Sequence, residues 1–218
     1  MPFRSSIFNI ILSALLMFLS SLATAAEMET IKLPEPDREG GRPLMEVLND
    51  RKTSRQFSTE ELPDQVVSNL LWAAFGVNRP EAGKRTAPSA VNWQEIEIYL
   101  ANDKGVYLYN HLDHTLEPYM AEDIRTHTGR QEFTSVAPVN LIYVADHRKM
   151  KGTDREQKIF YSAADTGFIS QNVYLYCASE NLATVVIGAV DKEALGKVMK
   201  LEPYMKVILT QTVGYPAE

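Results

Sequence analysis

The chain has 218 residues, of which 28 are acidic and 22 basic, so its formal net charge at pH 7 is −6. This acidic balance disfavours nucleic acids and anionic membranes as partners, because both select a basic surface. Cys177 is the only cysteine, which excludes an intrachain disulfide. Its apolar neighbours indicate a small buried residue rather than a nucleophile.

The first 25 residues have the pattern of a cleavable signal peptide. Arg4 supplies a positive start, residues 7–19 are almost wholly apolar, and Ala23-Thr24-Ala25 has the small residues of a cleavage site. The alternative is a membrane-anchoring helix, for which the apolar run is short. We therefore expect a secreted or periplasmic protein that begins near residue 26 and has no stable membrane anchor after cleavage.

Residues 26–42 are mixed in charge, contain Pro34 and Pro36, and predict an extended N-terminal arm lying across another surface. Residues 43–218 are then one domain. It begins with a short helix ending near Arg51, followed by a helix from about Ser58 that stops near Gly76.

The middle of the chain predicts strands. Residues 96–100 alternate between apolar and polar side chains, which indicates a strand with one wet face, and a turn at residues 102–105 leads to a second strand at 106–109. Residues 111–136 are polar, with one short helix expected around 121–126. The unbroken apolar run at 139–145 predicts a central buried strand.

The last third predicts a long helix over residues 160–180 that is apolar on most sides, so it lies in the core or is shared with a second subunit. A strand at 185–187, a helix at 191–199 and a strand at 205–213 follow. The mixture indicates the α+β class with a mainly antiparallel or mixed sheet.

Two segments are candidates for chemistry. The first, Arg51-Lys52-Thr53-Ser54-Arg55, gathers three cations and two hydroxyls that together can neutralise and hydrogen-bond a phosphate dianion. A solvated charged helix end is the alternative. No glycine-rich dinucleotide or phosphate loop is present, so a phosphate would depend on side chains.

The second segment, residues 86–94, presents Ser89, Asn92 and Gln94 just before a strand. An amide side chain has donors and an acceptor that suit the heteroatom edge of a planar ring. The alternative is a turn in which Ser and Asn bond their own backbone.

Taken in order, these motifs resemble those of the flavin-dependent nitroreductase family, including its short thiazoline-oxidase-like members. The family's Arg-x-Ser/Thr-x-Arg/Lys is matched by Arg51, Thr53 and Arg55, and its Pro-Ser-x-x-Asn-x-Gln begins at Pro88. Similar stretches follow at 165–172, at Gly188 with 191–195, and at the closing Val-Gly-Tyr-Pro of 213–216. The resemblance covers residues 43–216.

The resemblance implies a three-layer α/β/α sandwich with a mixed, mainly antiparallel sheet, in a domain-swapped homodimer with two FMN sites at the interface. It assigns the FMN phosphate and ribityl chain to Arg51, Lys52, Thr53 and Arg55. Ser89 and Asn92 would reach the isoalloxazine, and Ile187 and Gly188 would offer backbone groups to it. The arm at 26–42 would wrap the partner.

The resemblance also implies an FMN-dependent oxidoreductase that takes hydride from NADH or NADPH and passes it to a nitroaromatic, quinone or similar conjugated acceptor in a ping-pong cycle. The flavin carries the chemistry, so no catalytic side chain is expected. Many relatives add a late cation to the phosphate. This chain closes at Glu218 without it, and Arg85 is the candidate replacement.

Alternatives stay open. One is a noncatalytic exported flavin- or ligand-binding protein with the same fold, and another is a flavin-dependent dehydrogenase or dehalogenase of the superfamily. A zinc site at His111 and His114 with Asp113 and Glu117 is a weaker interpretation, since chance histidines in a polar loop are more common. We expect no metal.

Overall fold

The fold is built on a seven-stranded sheet, seen in a computed structural model that describes residues 28–217. The predicted signal peptide, residues 1–25, lies outside these residues. Every neighbouring pair of strands in the sheet is antiparallel, which confirms the α+β class with a mainly antiparallel sheet. Across the sheet the strands are β1 (Ile31–Lys32), β6 (Thr115–Met120), β5 (Gly105–Asn110), β4 (Ile96–Asn102), β7 (Val139–Asp146), β9 (Met205–Gly214) and β8 (Ala183–Ile187).

Helices and a small hairpin complete the described fold. The helices are α1 (Leu44–Asp50), α2 (Asp64–Phe75), α3 (Phe133–Val136), α4 (Arg155–Ser179) and α5 (Lys192–Val198). The hairpin pairs β2 (Val77–Arg79) with β3 (Lys84–Arg85). Local chemistry sets the helix starts. Asp154 caps α4 through a reciprocal pair of bonds with Gln157, and Asp191 accepts from the backbone N–H of Ala194 at the start of α5.

The sheet is covered on both faces. Strand alternation sends Ile98 and Leu141 to the face packed by α2 and α4, while Tyr99 and Ile142 join Leu195 of α5 on the other face. This gives the three layers expected from the resemblance. The predicted wet face of β4 was wrong, because Tyr99 is 2% exposed and packs edge-on against another tyrosine of β6. All eight residues of β7 are buried, as predicted for the central strand.

The described part of the N-terminal arm lies on its own chain. Ile31 pairs with Leu116 of β6, and Leu33 is buried with its N–H donating to the carbonyl of His114. Further along, the Arg42 N–H donates to Ser179 Oγ at the end of α4. Strand β6, which receives the arm, falls in the segment predicted to be polar and without strands. The short helical turns there lie at Arg125–His127 and in α3 instead.

Cys177 is fully buried on α4, as predicted, and burial raises the pKa of its thiol well above the usual value. Within residues 28–217, no helix is both long and apolar enough to cross a membrane.

Candidate active site

The cationic segment leaves α1 and runs beside the outer edge of β8. Ser54 donates its backbone N–H to the carbonyl of Thr184 at 3.0 Å, which fixes the segment to that strand. Lys52 and Arg55 are exposed, and Arg51 is half-buried. None of these three cations forms an ion pair with an acidic side chain of the described residues. Their positive charge is therefore free for an anionic ligand.

Tyr174 of α4 ties the cationic segment to the end of β8. Its hydroxyl lies 3.1 Å from Thr53 Oγ1 and accepts the backbone N–H of Val186 at 3.0 Å. The guanidinium carbon of Arg51 lies 5.3 Å from the centre of the Tyr174 ring, a cation–π distance. One aromatic side chain thus orients two residues of the predicted phosphate site against the strand that carries the predicted ring contacts.

Strand β8 ends beside this segment at Ile187 and Gly188. Ile187 is buried and pairs with Thr210 of β9, whereas Gly188 is exposed. A Cβ built at Gly188 would meet only Leu209, at 3.8 Å, so packing within the chain does not demand glycine there. The missing side chain leaves the backbone open to the close approach of a ligand.

Residues 89–94 form a strained turn before β4. Val91, Asn92 and Gln94 all have positive φ angles, of 50°, 61° and 49°. Such a conformation is unfavourable for residues other than glycine, and most of all for a β-branched residue such as Val91. Val91 is nevertheless 84% exposed, so it does not pack against the described core. Strain held in an exposed turn is typical of functional sites.

Gln94 is the centre of hydrogen bonding in this turn. Its backbone N–H donates to Ser89 Oγ at 3.0 Å, and its side-chain amide donates to Asn92 Oδ1 at 3.1 Å. The two predicted ring-binding side chains, Ser89 and Asn92, are therefore held by a third residue that the sequence motif contains. The capped-turn interpretation is thus partly confirmed, since these bonds lie within the segment itself.

The side chain of Arg85 holds Gln94 in place through a hydrogen bond. Its Nε donates to Gln94 Oε1 at 2.8 Å, its Nη2 lies 2.7 Å from His111 Nε2, and the guanidinium stacks 4.1 Å from the centre of the Phe75 ring. Burial lowers the pKa of Arg85 to about 10, which still leaves it charged. Burial and the Arg85 charge lower the pKa of His111 to about 4, so the neutral imidazole accepts the proton.

The histidines are engaged within the fold. His114 contacts Tyr109 Oη through Nδ1 at 2.9 Å and Ser68 Oγ through Nε2 at 2.7 Å. Among residues 28–217 there is no group of three or more His, Cys, Asp or Glu residues placed to hold a metal ion.

The family is decided by comparison with known proteins. A family model described as the nitroreductase family matches residues 48–215. The chain belongs to the nitroreductase family. It is therefore an oxidoreductase, in a family of flavin-dependent enzymes.

Individual relatives agree with this membership. A nitroreductase-assigned crystal structure from Ralstonia eutropha JMP134 is 42% identical, with a TM-score of 0.84 over 88% of this chain and 91% of that one. A protein of Methanocaldococcus jannaschii assigned as a nitroreductase is 28% identical over 191 residues, 83% of this chain and 96% of the relative. The NADPH:FMN oxidoreductase of Vibrio harveyi shares the fold, with 19% identity and a TM-score of 0.60 over 80% of this chain and 69% of that one.

In this nitroreductase-family chain the two predicted half-sites contact α4 at separate points. Tyr174 contacts the cationic segment, and Asp165 accepts the N–H of Ala90 in the strained turn at 2.9 Å. Nine residues of helix separate these contacts, or about 14 Å along the axis. Arg85 contacts only the turn side, through Gln94, His111 and Phe75. No role was assigned to Tyr174 or Asp165 from the sequence, because their roles depend on tertiary contacts that no local motif predicts.

Proposed function

We propose that this nitroreductase-family protein binds FMN and reduces a small conjugated acceptor, such as a nitroaromatic or a quinone. The observation that carries the proposal is the cationic segment, whose three cations lack acidic partners in the described chain. Its backbone is bonded to β8 through Ser54, and the Thr53 hydroxyl contacts Tyr174 of α4. A rigid, unneutralised cluster of this kind fits a phosphate. Bound FMN would supply the chemistry for hydride transfer between NADH or NADPH and the acceptor, in a ping-pong cycle.

The residues of the chain would bind and orient the cofactor. Arg51, Lys52 and Arg55 supply positive charge to the phosphate, and the Thr53 hydroxyl can reach the same ligand while it stays oriented by Tyr174. The open backbone at Gly188, with Ile187 before it, suits a flat ring lying close to the chain. Backbone N–H groups there would stabilise negative charge on the ring's polar edge.

Ser89 and Asn92 would meet the ring from the strained turn. In this structure their side chains are held by Gln94, which leaves the hydroxyl hydrogen of Ser89 and the amide N–H₂ of Asn92 as donors for a ligand. Arg85 is already bonded through Nε and Nη2, so its geometry favours support of the turn over the phosphate role predicted from sequence.

A homodimer is part of the proposal, because the two half-sites are separated along α4 and one side of this helix exposes large apolar side chains. Phe160 and Phe168 are 66% and 50% exposed, and a Cβ at Gly167 on the same side would meet no atom within 4 Å. Exposed aromatic side chains that share a helix face are typical of a protein interface. A second copy packed on it would bring the turn of one subunit toward the cationic segment of the other.

The test is the visible absorption spectrum of the purified protein, recorded anaerobically before and after NADPH is added. Flavin bands that bleach support the proposal. Bands that persist support a flavoprotein with another electron donor, which suits the export that we propose for residues 1–25. A colourless protein that does not take up added FMN would contradict the proposal and favour a noncatalytic binding protein.

A further inference from the structure

Two acidic side chains to which the sequence analysis assigned no role are buried near the strained turn. Glu95, the residue before β4, is 0% exposed, and Asp165 of α4 is 2% exposed. Each carboxyl group shifts the pKa of the other through a side-chain interaction, so the two groups face each other in this buried space. Two ionised carboxylates can only accept hydrogen bonds, so they cannot bond to each other. Among the described residues, neither carboxylate oxygen of Glu95 has a hydrogen-bond donor.

A buried pair of this kind is stable only with a proton. Burial, and then the charge of Asp165, raise the pKa of Glu95 to about 7, and burial also raises the pKa of Asp165. The cation that acts on Glu95, Lys149, lies on the segment after β7, and its Nζ is bonded to Glu97 Oε1 at 3.1 Å and to the Gln94 carbonyl at 3.4 Å. Lys149 lowers the pKa of Glu95 only as a minor influence, so the pair keeps its proton through the mildly acidic range and loses it around pH 7.

The pair is joined directly to the turn. Asp165 Oδ2 accepts the backbone N–H of Ala90, the residue after Ser89, and Glu95 follows Gln94 in the chain. One carboxyl group of the pair thus bonds the turn near its start, and the other belongs to the residue that follows the turn, while Val91, Asn92 and Gln94 between them have positive φ. Loss of the proton would place two negative charges side by side in a buried space and push the pair apart.

We propose that Glu95 and Asp165 share one proton, and that this protonated pair is a positioning element that holds residues 89–94 in the shape that receives the flavin ring. The inference deepens the proposed function and rests on it for the identity of the ligand. The pair does not touch the reacting atoms. It acts through Ala90 and Gln94 on Ser89 and Asn92.

The pH dependence has a defined sign. The pKa of Glu95 is raised in the folded state from 4.5 to about 7, so the stabilisation by the shared proton is complete below the unfolded value. It is lost as the pH rises through the folded value. The melting temperature of the flavin-free protein should therefore fall between about pH 4.5 and pH 7.

The first experiment measures thermal unfolding of the flavin-free protein across this pH range. In Glu95→Gln the amide mimics the protonated acid and donates to Asp165, so the fall in melting temperature should largely disappear. Glu193→Gln removes the same charge from an exposed pair with Lys197 and should keep the wild-type slope. Asp165→Asn, which can still accept from Ala90, is a second variant if Glu95→Gln does not fold. A Glu95→Gln profile parallel to wild type would overturn the shared proton.

The second experiment measures the dissociation constant of FMN by fluorescence titration. The dissociation constant of the wild type is divided by that of Glu95→Gln at each pH, because the titration of the FMN phosphate affects both proteins equally and cancels in the ratio. This ratio should rise about tenfold between about pH 6 and about pH 8. A ratio that stays constant would overturn the link between the pair and the turn. If the wild type binds no FMN at any pH but shows the Glu95-dependent melting slope, the proposed function fails while the shared proton stands.

Discussion

Arg51 lies over the Tyr174 ring, beside Thr53 and within reach of any phosphate held by the cationic segment. We predict that Arg51→Ala weakens FMN binding by about tenfold to hundredfold, because a charge-assisted hydrogen bond contributes about 1.5–3 kcal/mol. The measurement is a fluorescence titration of the flavin-free protein. Lys151→Ala, an exposed cation elsewhere, should bind FMN as the wild type does. Equal affinities for the two variants would contradict the phosphate role.

A substitution of Arg85 can distinguish two roles for this residue: support of the turn through Gln94, or direct binding of the FMN phosphate. We predict that Arg85→Met lowers the free energy of unfolding of the flavin-free protein by about 1–3 kcal/mol, because it leaves the half-buried acceptors on Gln94 and His111 without a donor. Urea denaturation measures this loss. A variant with unchanged stability but much weaker FMN binding would instead identify Arg85 as a phosphate ligand.

Among the structural elements, the turn before β4 is strained at several residues rather than at one. We predict that Val91→Gly raises the free energy of unfolding of the flavin-free protein by about 1 kcal/mol, since glycine adopts a φ of 50° without steric cost. Chemical denaturation is the measurement. Leu112→Gly is the control, because Leu112 is also exposed and does not have a positive φ, so it should gain no stability.

The elements show what local patterns can predict. The apolar run of β7, the helix α4 and the hairpin of β4 and β5 were predicted because their periodicity or turn residues are local signals. Strand β6 was missed because it lies at the side of the sheet, carries Pro118, and mixes exposed and buried side chains. Its existence depends on pairing with β5 and with the arm, which are contacts distant in sequence.

The candidate site divides in the same way. Arg51, Thr53, Ser89 and Asn92 stand in recognisable sequence patterns, so the sequence alone identifies them as candidates. Tyr174 and the carboxyl pair could not be predicted, because a helix residue gives no local sign of which loop or strand it will contact. The fold brings the carboxyl group of the α4 aspartate beside the turn, where it accepts a backbone N–H.

At the scale of the whole molecule, the exposed apolar face of α4 predicts assembly. We predict that Phe168→Glu gives a monomer, because a charge within the proposed interface would be buried without a partner. Light scattering coupled to size exclusion measures the mass. Phe168 is half exposed in the single chain, so circular dichroism should show an intact fold, while FMN content should fall with the loss of the dimer. A dimeric variant would show that another surface joins the subunits.

The outer edge of β8 has a consequence for solubility. An unpaired strand edge is a template for aggregation, and here the outward carbonyl of Thr184 and the outward N–H of Val186 are occupied by Ser54 and by the Tyr174 hydroxyl. The segment that we assign to phosphate binding is thus also the cover of this edge. A substitution that detaches this segment from β8 would therefore expose the strand edge to other molecules. Variants that lose the cofactor in this way should also aggregate and precipitate.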